Sequence, residues 1–131
     1  MKELRVIIAG SREFDDFPML MSKCTDILSA ISNTNDDLDK VRIISGTARG
    51  ADKLGEQYAK LLGYELSKFS ADWDNLGKRA GYVRNAEMAK FAVEDGNYGV
   101  LVAFWDGKSK GAKHMIDLAN KHGLEVHIVN F

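Results

Sequence analysis

Short apolar runs alternate along this chain with longer segments in which apolar residues recur at the spacing of a helix face. The runs predict five buried strands, at residues 4–9, 41–44, 64–69, 99–105 and 124–129. The segments between them predict four helices, at residues 17–31, 51–62, 78–94 and 112–119. Strand and helix therefore follow one another four times before a last strand closes the series.

This alternation predicts an α/β fold with a mostly parallel five-stranded sheet covered by helices on both faces. At 131 residues, the chain is long enough for one well-packed core and too short for two ordinary domains. We therefore expect a single domain over residues 1–131, with the strand order 3-2-1-4-5. The polar segment at residues 32–40 is expected to be a surface loop that only connects its neighbours.

The segment VRIISGTARGAD, residues 41–52, is expected to be the centre of the fold. Its apolar strand ends in a glycine-containing turn that opens directly into a helix, an arrangement typical of phosphate-binding loops. We expect five of its residues to contact a ligand: Ser45, Gly46, Thr47, Gly50 and Asp52. Helix capping alone is an equally good interpretation, and Asp52 suits either a helix first turn or a bond to a ribose hydroxyl.

The loops after the first and fourth strands are expected to meet this segment, because parallel strands end at one edge of the sheet. They contribute further candidate ligand contacts: Gly10, Ser11, Arg12 and Glu13 in the first, and Asp106, Gly107, Ser109 and Gly111 in the second. A serine hydroxyl can donate to phosphate, and an arginine offers a planar fork for a bidentate contact. A tight turn with a solvated ion pair is the alternative interpretation of the first loop.

The helix predicted at residues 78–94 has polar residues on its apolar face. One side of it, by helical spacing, carries Gly81, Arg84, Asn85, Met88 and Ala92. We expect Arg84 and Asn85 to point to the sheet edge where the loops converge and to contact the ligand. The alternative is that Arg84 pairs with a buried carboxylate such as Asp52 or Asp72 and only braces the fold.

The chain has two tryptophans, and one of them is placed to contact a base. Trp105 ends the apolar fourth strand and suits the core. Trp73 lies in a polar turn, where a half-exposed ring can stack on a base. We therefore include only Trp73 among the candidate ligand contacts, with a core position as the alternative.

Composition narrows the classes of partner. Lys and Arg number 18 and Asp and Glu 19, so the formal charge is −1 and no global positive field attracts nucleic acid or an anionic membrane. The single cysteine, Cys24, cannot form an internal disulfide, and no Cys and His cluster has zinc-ligand spacing. We expect a cytoplasmic protein with no metal site, no evident cofactor, no signal peptide and no membrane span.

Two common nucleotide-binding motifs are absent from the sequence. Lys108-Ser109 resembles the GK[ST] end of a P-loop, but Val102 stands where that motif needs its first glycine. No strand ends in GxGxxG, so the standard dinucleotide fingerprint is missing. The three histidines are scattered, and we assign none of them as a catalytic base. A Walker-type nucleotidase is therefore disfavoured.

Four segments of the chain resemble those of one family. In order, they are GSREF, SGTARGAD, FSADWDNLGKRAGYVRN and FWDGKSKGAKHMIDLA. Together they resemble the small SLOG-type Rossmann-like proteins related to YpsA, over nearly the whole chain. The resemblance implies a single Rossmann-like, three-layer domain that binds a nucleotide or a nucleotide-derived ligand, such as ADP-ribose or NAD, as a sensor or processing domain. It also favours a homodimer.

More distant similarities leave two other functions open. SGTARGAD followed later by Arg84-Asn85 resembles a domain of DNA-processing protein A, which binds single-stranded DNA. GKSKGAKHM lies where the LOG phosphoribohydrolases, which cleave the base from nucleoside monophosphates, carry PGGxGTxxE. Gly111 matches the last glycine of that signature, whereas Ala112 replaces its threonine and Met115 its catalytic glutamate. The candidates for a catalytic acid or base are then Glu13 and Asp52.

Overall fold

The structure is a computed structural model that describes residues 2–131. Its strands are Lys2–Gly10 (β1), Leu38–Ser45 (β2), Glu65–Lys68 (β3), Tyr98–Trp105 (β4) and Glu125–Asn130 (β5). Its α-helices are Phe17–Thr34 (α1), Ala51–Leu62 (α2), Trp73–Leu76 (α3), Ala80–Val93 (α4) and Lys110–Lys121 (α5). All neighbouring strands pair in parallel in the order β3-β2-β1-β4-β5. The predicted fold class and strand order are confirmed.

The central strand β1 contributes to a hydrophobic core on each face of the sheet. Successive side chains of a strand point to opposite faces, so Leu4, Val6 and Ile8 face one core and Ile7 and Ala9 face the other. Helices α1 and α2 cover the first core, whereas α4 and α5 cover the second. Full burial of one Leu, Ile or Val side chain contributes about 1.5–3 kcal/mol to the free energy of unfolding. The two cores therefore hold the sheet in place, and with it the edge that carries the loops.

The segment predicted as a surface loop at residues 32–40 is mostly regular structure. Helix α1 continues to Thr34 and β2 begins at Leu38. The side chains of Thr34 and Asn35 donate hydrogen bonds to the carbonyl of Ile31, at 3.1 and 2.8 Å, which satisfies a backbone acceptor at the helix end. Leu38 packs against the core. Polar residues therefore cap the helix here, and the prediction of a long loop was wrong.

The helix predicted at residues 78–94 corresponds to α4, and a short helix that was not predicted precedes it. The short helix α3 begins at Trp73, a 3₁₀ turn covers Gly77–Arg79, and α4 begins at Ala80. Gly77 has φ of 58°, a left-handed conformation that ends α3 and redirects the chain. Because α4 is a separate element, it packs against the sheet while α3 stays at the rim.

No helix within residues 2–131 is both long and apolar enough to cross a bilayer. In the same part of the chain, no three His, Cys, Asp or Glu side chains are grouped as a metal ion requires.

Candidate functional site

Two clefts lie at the carboxyl edge of the sheet, one at the switch in strand order between β1 and β4 and one beside the loops after β2 and β3. The Asp52 cleft, of about 330 Å³, is lined by Ala9, Gly10, Arg12, Ala48, Asp52, Arg84, Asn85, Met88, Ser109, Gly111, Ala112 and Met115. The Trp73 cleft, of about 390 Å³, is lined by Arg12, Gly46, Thr47, Ala48, Arg49, Ser70, Ala71, Trp73 and Arg84. Arg12, Ala48 and Arg84 belong to both linings, so these residues form a wall that the two clefts share.

The loop after β1 is held against the end of β4 by a close backbone approach. Gly10 has φ of 152°, and a Cβ atom at this position would lie 2.1 Å from the carbonyl oxygen of Phe104. The amide of Ser11 donates to the same carbonyl at 2.9 Å, and the Ser11 hydroxyl accepts from the amide of Asp106 at 3.3 Å. Only glycine fits at position 10, because a side chain there would separate the two loops.

The loop after β2 is fixed to the loop after β1 in a similar way. Gly50 has φ of 81°, and a Cβ atom there would lie 2.5 Å from the carbonyl oxygen of Ser11. The amide of Ala51, at the start of α2, donates to that carbonyl at 3.4 Å. These contacts keep the backbone of the first loop beside α2 and place Arg12, an exposed side chain, in the shared wall.

Arg84 reaches from α4 to the loop after β2. Its Nη1 donates to the carbonyl of Gly46, and its Nε donates to Oδ1 of Asn85 at 3.1 Å. A Cβ atom on Gly46 would lie 2.8 Å from Oδ2 of Asp52 and 3.1 Å from Nη1 of Arg84, so a glycine is needed to bring these groups together. Among residues 2–131, neither Asp52 nor Asp72 forms a direct salt bridge with Arg84. Asp72 instead caps α3 by accepting from the amide of Asn75.

Asn85 joins α4 to the start of α5. Its side chain is only 5% exposed, and its Nδ2 donates to the carbonyl of Gly111 at 3.3 Å. The same amide group contacts Nδ1 of His114 at 3.2 Å, where the ring nitrogen acts as acceptor if the histidine is neutral. Burial lowers the pKa of His114, which favours that neutral form. Asn85 therefore holds the first turn of α5 beside the Asp52 cleft.

The first turn of α5 forms one side of the Asp52 cleft. Ser109 caps the helix, since its hydroxyl accepts from the amide of Ala112 at 3.3 Å. Ser109, Gly111 and Ala112 all line the cleft. The positive end of the α5 dipole therefore borders the same cleft as the side chains of Arg12 and Arg84. This combination suits an anion such as phosphate.

Asp52 is the buried carboxylate of the cleft. It is 5% exposed, and its Oδ2 accepts from the amide of Ala48 at 3.2 Å. Burial raises the pKa of Asp52 from 3.8 to about 6, against the lowering effects of the Ala48 amide and of the charges on Arg84 and Arg12. The charge of Glu56 raises this pKa further. A carboxyl group with a pKa near neutrality is suited to exchanging a proton within the cleft.

Asp52→Asn is expected to change the pH dependence of stability. Between about pH 4 and pH 6 the unfolded chain has released the Asp52 proton while the folded protein still holds it, so the free energy of unfolding falls as the pH rises. In the variant, the free energy of unfolding should fall less steeply with rising pH. At neutral pH the variant should be more stable than the wild type, by up to about 3 kcal/mol. Urea unfolding across this pH range checks it. A variant that is less stable at every pH would contradict the expectation.

Several predicted contact residues do not line either cleft. Ser11 is 2% exposed and bonds to Asp106, and the Ser45 hydroxyl donates to Glu56 at 2.7 Å beneath its loop. Glu13 is exposed and pairs with Arg49 at 2.7 Å. These side chains support the loops or lie outside them, so the structure does not bring them to the clefts.

Fewer residues of the loop after β4 line the clefts than the sequence predicted. The carboxylate of Asp106 accepts from the amides of Lys108 and Ser109, both at 2.9 Å, and these bonds lower the pKa of Asp106. Gly107, with φ of 81°, turns the chain and lines neither cleft. Gly50 likewise acts through backbone packing. The other predicted contacts do line a cleft: Gly10, Arg12, Gly46, Thr47, Asp52, Trp73, Arg84, Asn85, Ser109 and Gly111.

Sequence reasoning missed two groups that act on the site. Glu56 is 6% exposed, forms salt bridges of 3.6 Å with Lys53 and Lys68, and acts electrostatically on Asp52. Its spacing of four residues from Asp52 places both acids on one face of α2, a signal that was available in the sequence. His114 was set aside as an isolated histidine, and only the packing of α4 against α5 reveals its contact with Asn85.

A parallel sheet of this order, with a cleft at its switch point, defines the Rossmann-like class of α/β proteins. The chain belongs to the YspA, cpYpsA-related SLOG family, whose model matches residues 4–75, and the resemblance in the sequence is thereby confirmed. It is 32% identical to the Gene 61 protein of Mycobacterium phage D29 over 132 residues, which cover 97% of this chain and 95% of that protein. No solved structure matches the chain. Family membership points to a nucleotide-related role.

Proposed function

We propose that this domain binds a nucleotide or a nucleotide-derived molecule, such as ADP-ribose or NAD, as a sensor or processing domain. One observation carries the proposal: Arg12, Arg84 and the N-terminal turn of α5 all line the Asp52 cleft at the switch point of the sheet. Guanidinium groups bind phosphate oxygens in a bidentate manner, and helix N-termini favour anions. In this proposal, the phosphate of the ligand binds between these groups.

The distribution of charge supports a small anion rather than a polymer. The whole chain has a formal charge of −1, yet Arg12, Arg49 and Arg84 all line the Trp73 cleft. A single-stranded DNA binder usually carries a longer basic groove with several stacking aromatics. Positive charge concentrated in two clefts of about 330 and 390 Å³ fits one nucleotide-sized ligand better.

Calorimetric titration of the wild-type protein with AMP, ADP-ribose and NAD tests the proposal. Saturable binding of at least one of them is expected, and mass spectrometry of small molecules released from the purified protein would identify a retained ligand of the same class. The control is a short oligonucleotide titrated at increasing salt. Binding of the oligonucleotide alone, with affinity that falls steeply with salt, would favour the DNA-binding alternative.

Asp52 favours a second candidate function, hydrolysis of the N-glycosidic bond of a nucleoside monophosphate. Its pKa of about 6 leaves it mostly ionised at neutral pH, so it can accept a proton from a water whose oxygen attacks the ribose C1′. The bond between C1′ and the base breaks, and the departing base takes up a proton from solvent. Incubation with nucleoside monophosphates, followed by chromatography for the free base, tests this function. Asp52→Asn should abolish base release. No release by the wild type, despite measurable binding, leaves the binding function alone.

The exposed apolar residues support a homodimer. Leu61 and Leu62 near the end of α2 are exposed, as are Tyr82 and Val83 on α4. Burial of such side chains in a symmetric interface would remove apolar surface from water. Light scattering over a range of protein concentrations is expected to give the mass of a dimer. A constant mass of about 14.5 kDa, that of one chain, would contradict this expectation.

A further inference from the structure

Trp73 is held at the mouth of the site with much of its ring in solvent. Trp73 is one of the two tryptophans in the chain and the first residue of α3. It is 50% exposed, which is a large apolar surface to leave in water. The Asp72 carboxylate caps α3 by accepting from the Asn75 amide at 3.3 Å, which fixes the backbone that carries the ring. A Cβ atom on Gly81 would lie 3.4 Å from Cη2 of Trp73, so the ring rests against the first turn of α4.

The ring of Trp73 and the guanidinium of Arg84 meet over the same point of α4. Nη2 of Arg84 lies 3.7 Å from the Cβ position of Gly81, close to the Trp73 contact. The clefts on the two sides of Arg84 are therefore adjacent, and one carries an exposed aromatic ring while the other carries the N-terminus of α5. A ligand that filled both would need an aromatic group at one end and an anionic group at the other.

The floor of the Trp73 cleft has an uncommon backbone conformation. Thr47 has φ of 66°, which a β-branched residue rarely adopts. Its amide donates to the Ser45 hydroxyl at 3.0 Å, and its own hydroxyl donates to that of Ser70 at 3.4 Å. Strained residues of this kind cluster at ligand sites, where the surrounding contacts hold them in place. The hydrogen bond from Thr47 to Ser70 thereby holds the loop after β2 beside the segment that leads to Trp73.

From these contacts we infer how the ligand is divided between the clefts, an inference that rests on the proposed function. The base of the nucleotide stacks on Trp73, and the phosphate crosses the wall of Arg12 and Arg84 to reach the first turn of α5. The ligand class is therefore a nucleotide whose base and phosphate bind to separate clefts. Trp73 is then a specificity-determining residue that distinguishes a base-bearing phosphate from a sugar phosphate.

Titration of Trp73→Ala with AMP, ADP-ribose and ribose 5-phosphate tests this division. Stacking of one base on an aromatic side chain corresponds to a loss of about 5- to 150-fold in affinity when the ring is removed. This loss is expected for AMP and ADP-ribose, whereas the affinity for ribose 5-phosphate should change less than about 2-fold, which is within the effect of a neutral surface substitution. Trp73→Phe, which keeps an aromatic ring, should recover most of the loss.

Met21→Ala is the control for removing an exposed apolar side chain, because Met21 is 36% exposed on α1 and lines neither cleft. It should leave all three affinities unchanged. If Trp73→Ala binds AMP as tightly as the wild type, or loses ribose 5-phosphate to the same extent, the inference is overturned while the proposed function stands. If the wild type binds none of the three compounds, both are overturned.

Discussion

Replacement of Arg84 by alanine is expected to weaken binding of AMP or ADP-ribose by about 1.5–3 kcal/mol, or roughly 10- to 150-fold. This is the range for a hydrogen bond to a charged group, and a guanidinium that faces a cleft with an α5 N-terminus is placed to make one. Arg84 also donates to the carbonyl of Gly46, so the variant should lose about 1 kcal/mol of stability. Calorimetric titration and thermal unfolding of the same variant measure the two effects.

Variants of two other arginines distinguish the loss of a ligand contact from the loss of a contact that stabilises the fold. Arg12 lines both clefts, and within residues 2–131 no side chain or carbonyl accepts a hydrogen bond from its guanidinium, so Arg12→Ala should weaken binding with little change in stability. Arg79 is exposed and lines neither cleft, so Arg79→Ala removes one positive charge and should leave affinity unchanged.

Unchanged affinity in both Arg84→Ala and Asn85→Ala would remove these residues from the site. A lowered melting temperature with unchanged affinity would make Arg84 a structural brace only.

Gly10→Ala is expected to have the largest effect on stability, a loss of at least about 4 kcal/mol or failure to fold. The new Cβ atom would lie 2.1 Å from the carbonyl oxygen of Phe104, within the pairing of two central strands that cannot move apart without breaking the sheet. The loop that carries Arg12 would be displaced at the same time. Urea unfolding of the purified variant, or its absence from the soluble fraction, measures the effect.

Gly63→Ala is the control for this substitution. Gly63 also has a left-handed backbone, with φ of 73°, but no atom lies within 4 Å of the Cβ position. Its replacement should cost only the conformational strain, about 1 kcal/mol. Equal losses in Gly10→Ala and Gly63→Ala would show that the contact with β4 is not what requires a glycine at position 10.

The fold could be predicted because it depends on repeated patterns. Apolar runs alternating with helical stripes determine a parallel sheet, and the shared stripe of α4 indicated correctly that Arg84 and Asn85 face the loops after β2 and β4. The short helix α3 was missed because residues 70–77 are rich in turn-forming residues and four residues are too few to show a helical period. Periodicity therefore located the elements but not all of their ends.

The direction of loop side chains could not be predicted in the same way. Glu13 and Arg12 are adjacent in sequence, yet Arg12 lines both clefts while Glu13 pairs with Arg49 on the surface. Ser11 and Ser45 look like phosphate donors in sequence but are turned under their loops. Because a loop has no repeating geometry, its residue types indicate only that the loop belongs to a binding site. The tertiary contacts decide which of its side chains line the clefts.

The raised pKa of Asp52 depends on the whole site. The sequence places this acid in the first turn of α2, where the helix dipole favours its charged form. Packing of the Gly46 loop and of α4 then removes it from water, and burial outweighs the attraction of Arg84 and Arg12. This balance exists only after distant segments have come together.

Nuclear magnetic resonance of the isotopically labelled protein during titration with ADP-ribose tests the central claim most directly, because every backbone amide near the ligand reports separately. Saturable shifts are expected for amides of the loops after β1 and β2 and of the first turns of α3, α4 and α5, at Arg12, Ala48, Trp73, Arg84 and Gly111. The same titration of Arg84→Ala should require a higher ligand concentration for equal shifts. Shifts confined to residues outside both clefts, or no shifts with ADP-ribose, AMP and NAD alike, would contradict the assignment of these clefts as a nucleotide site.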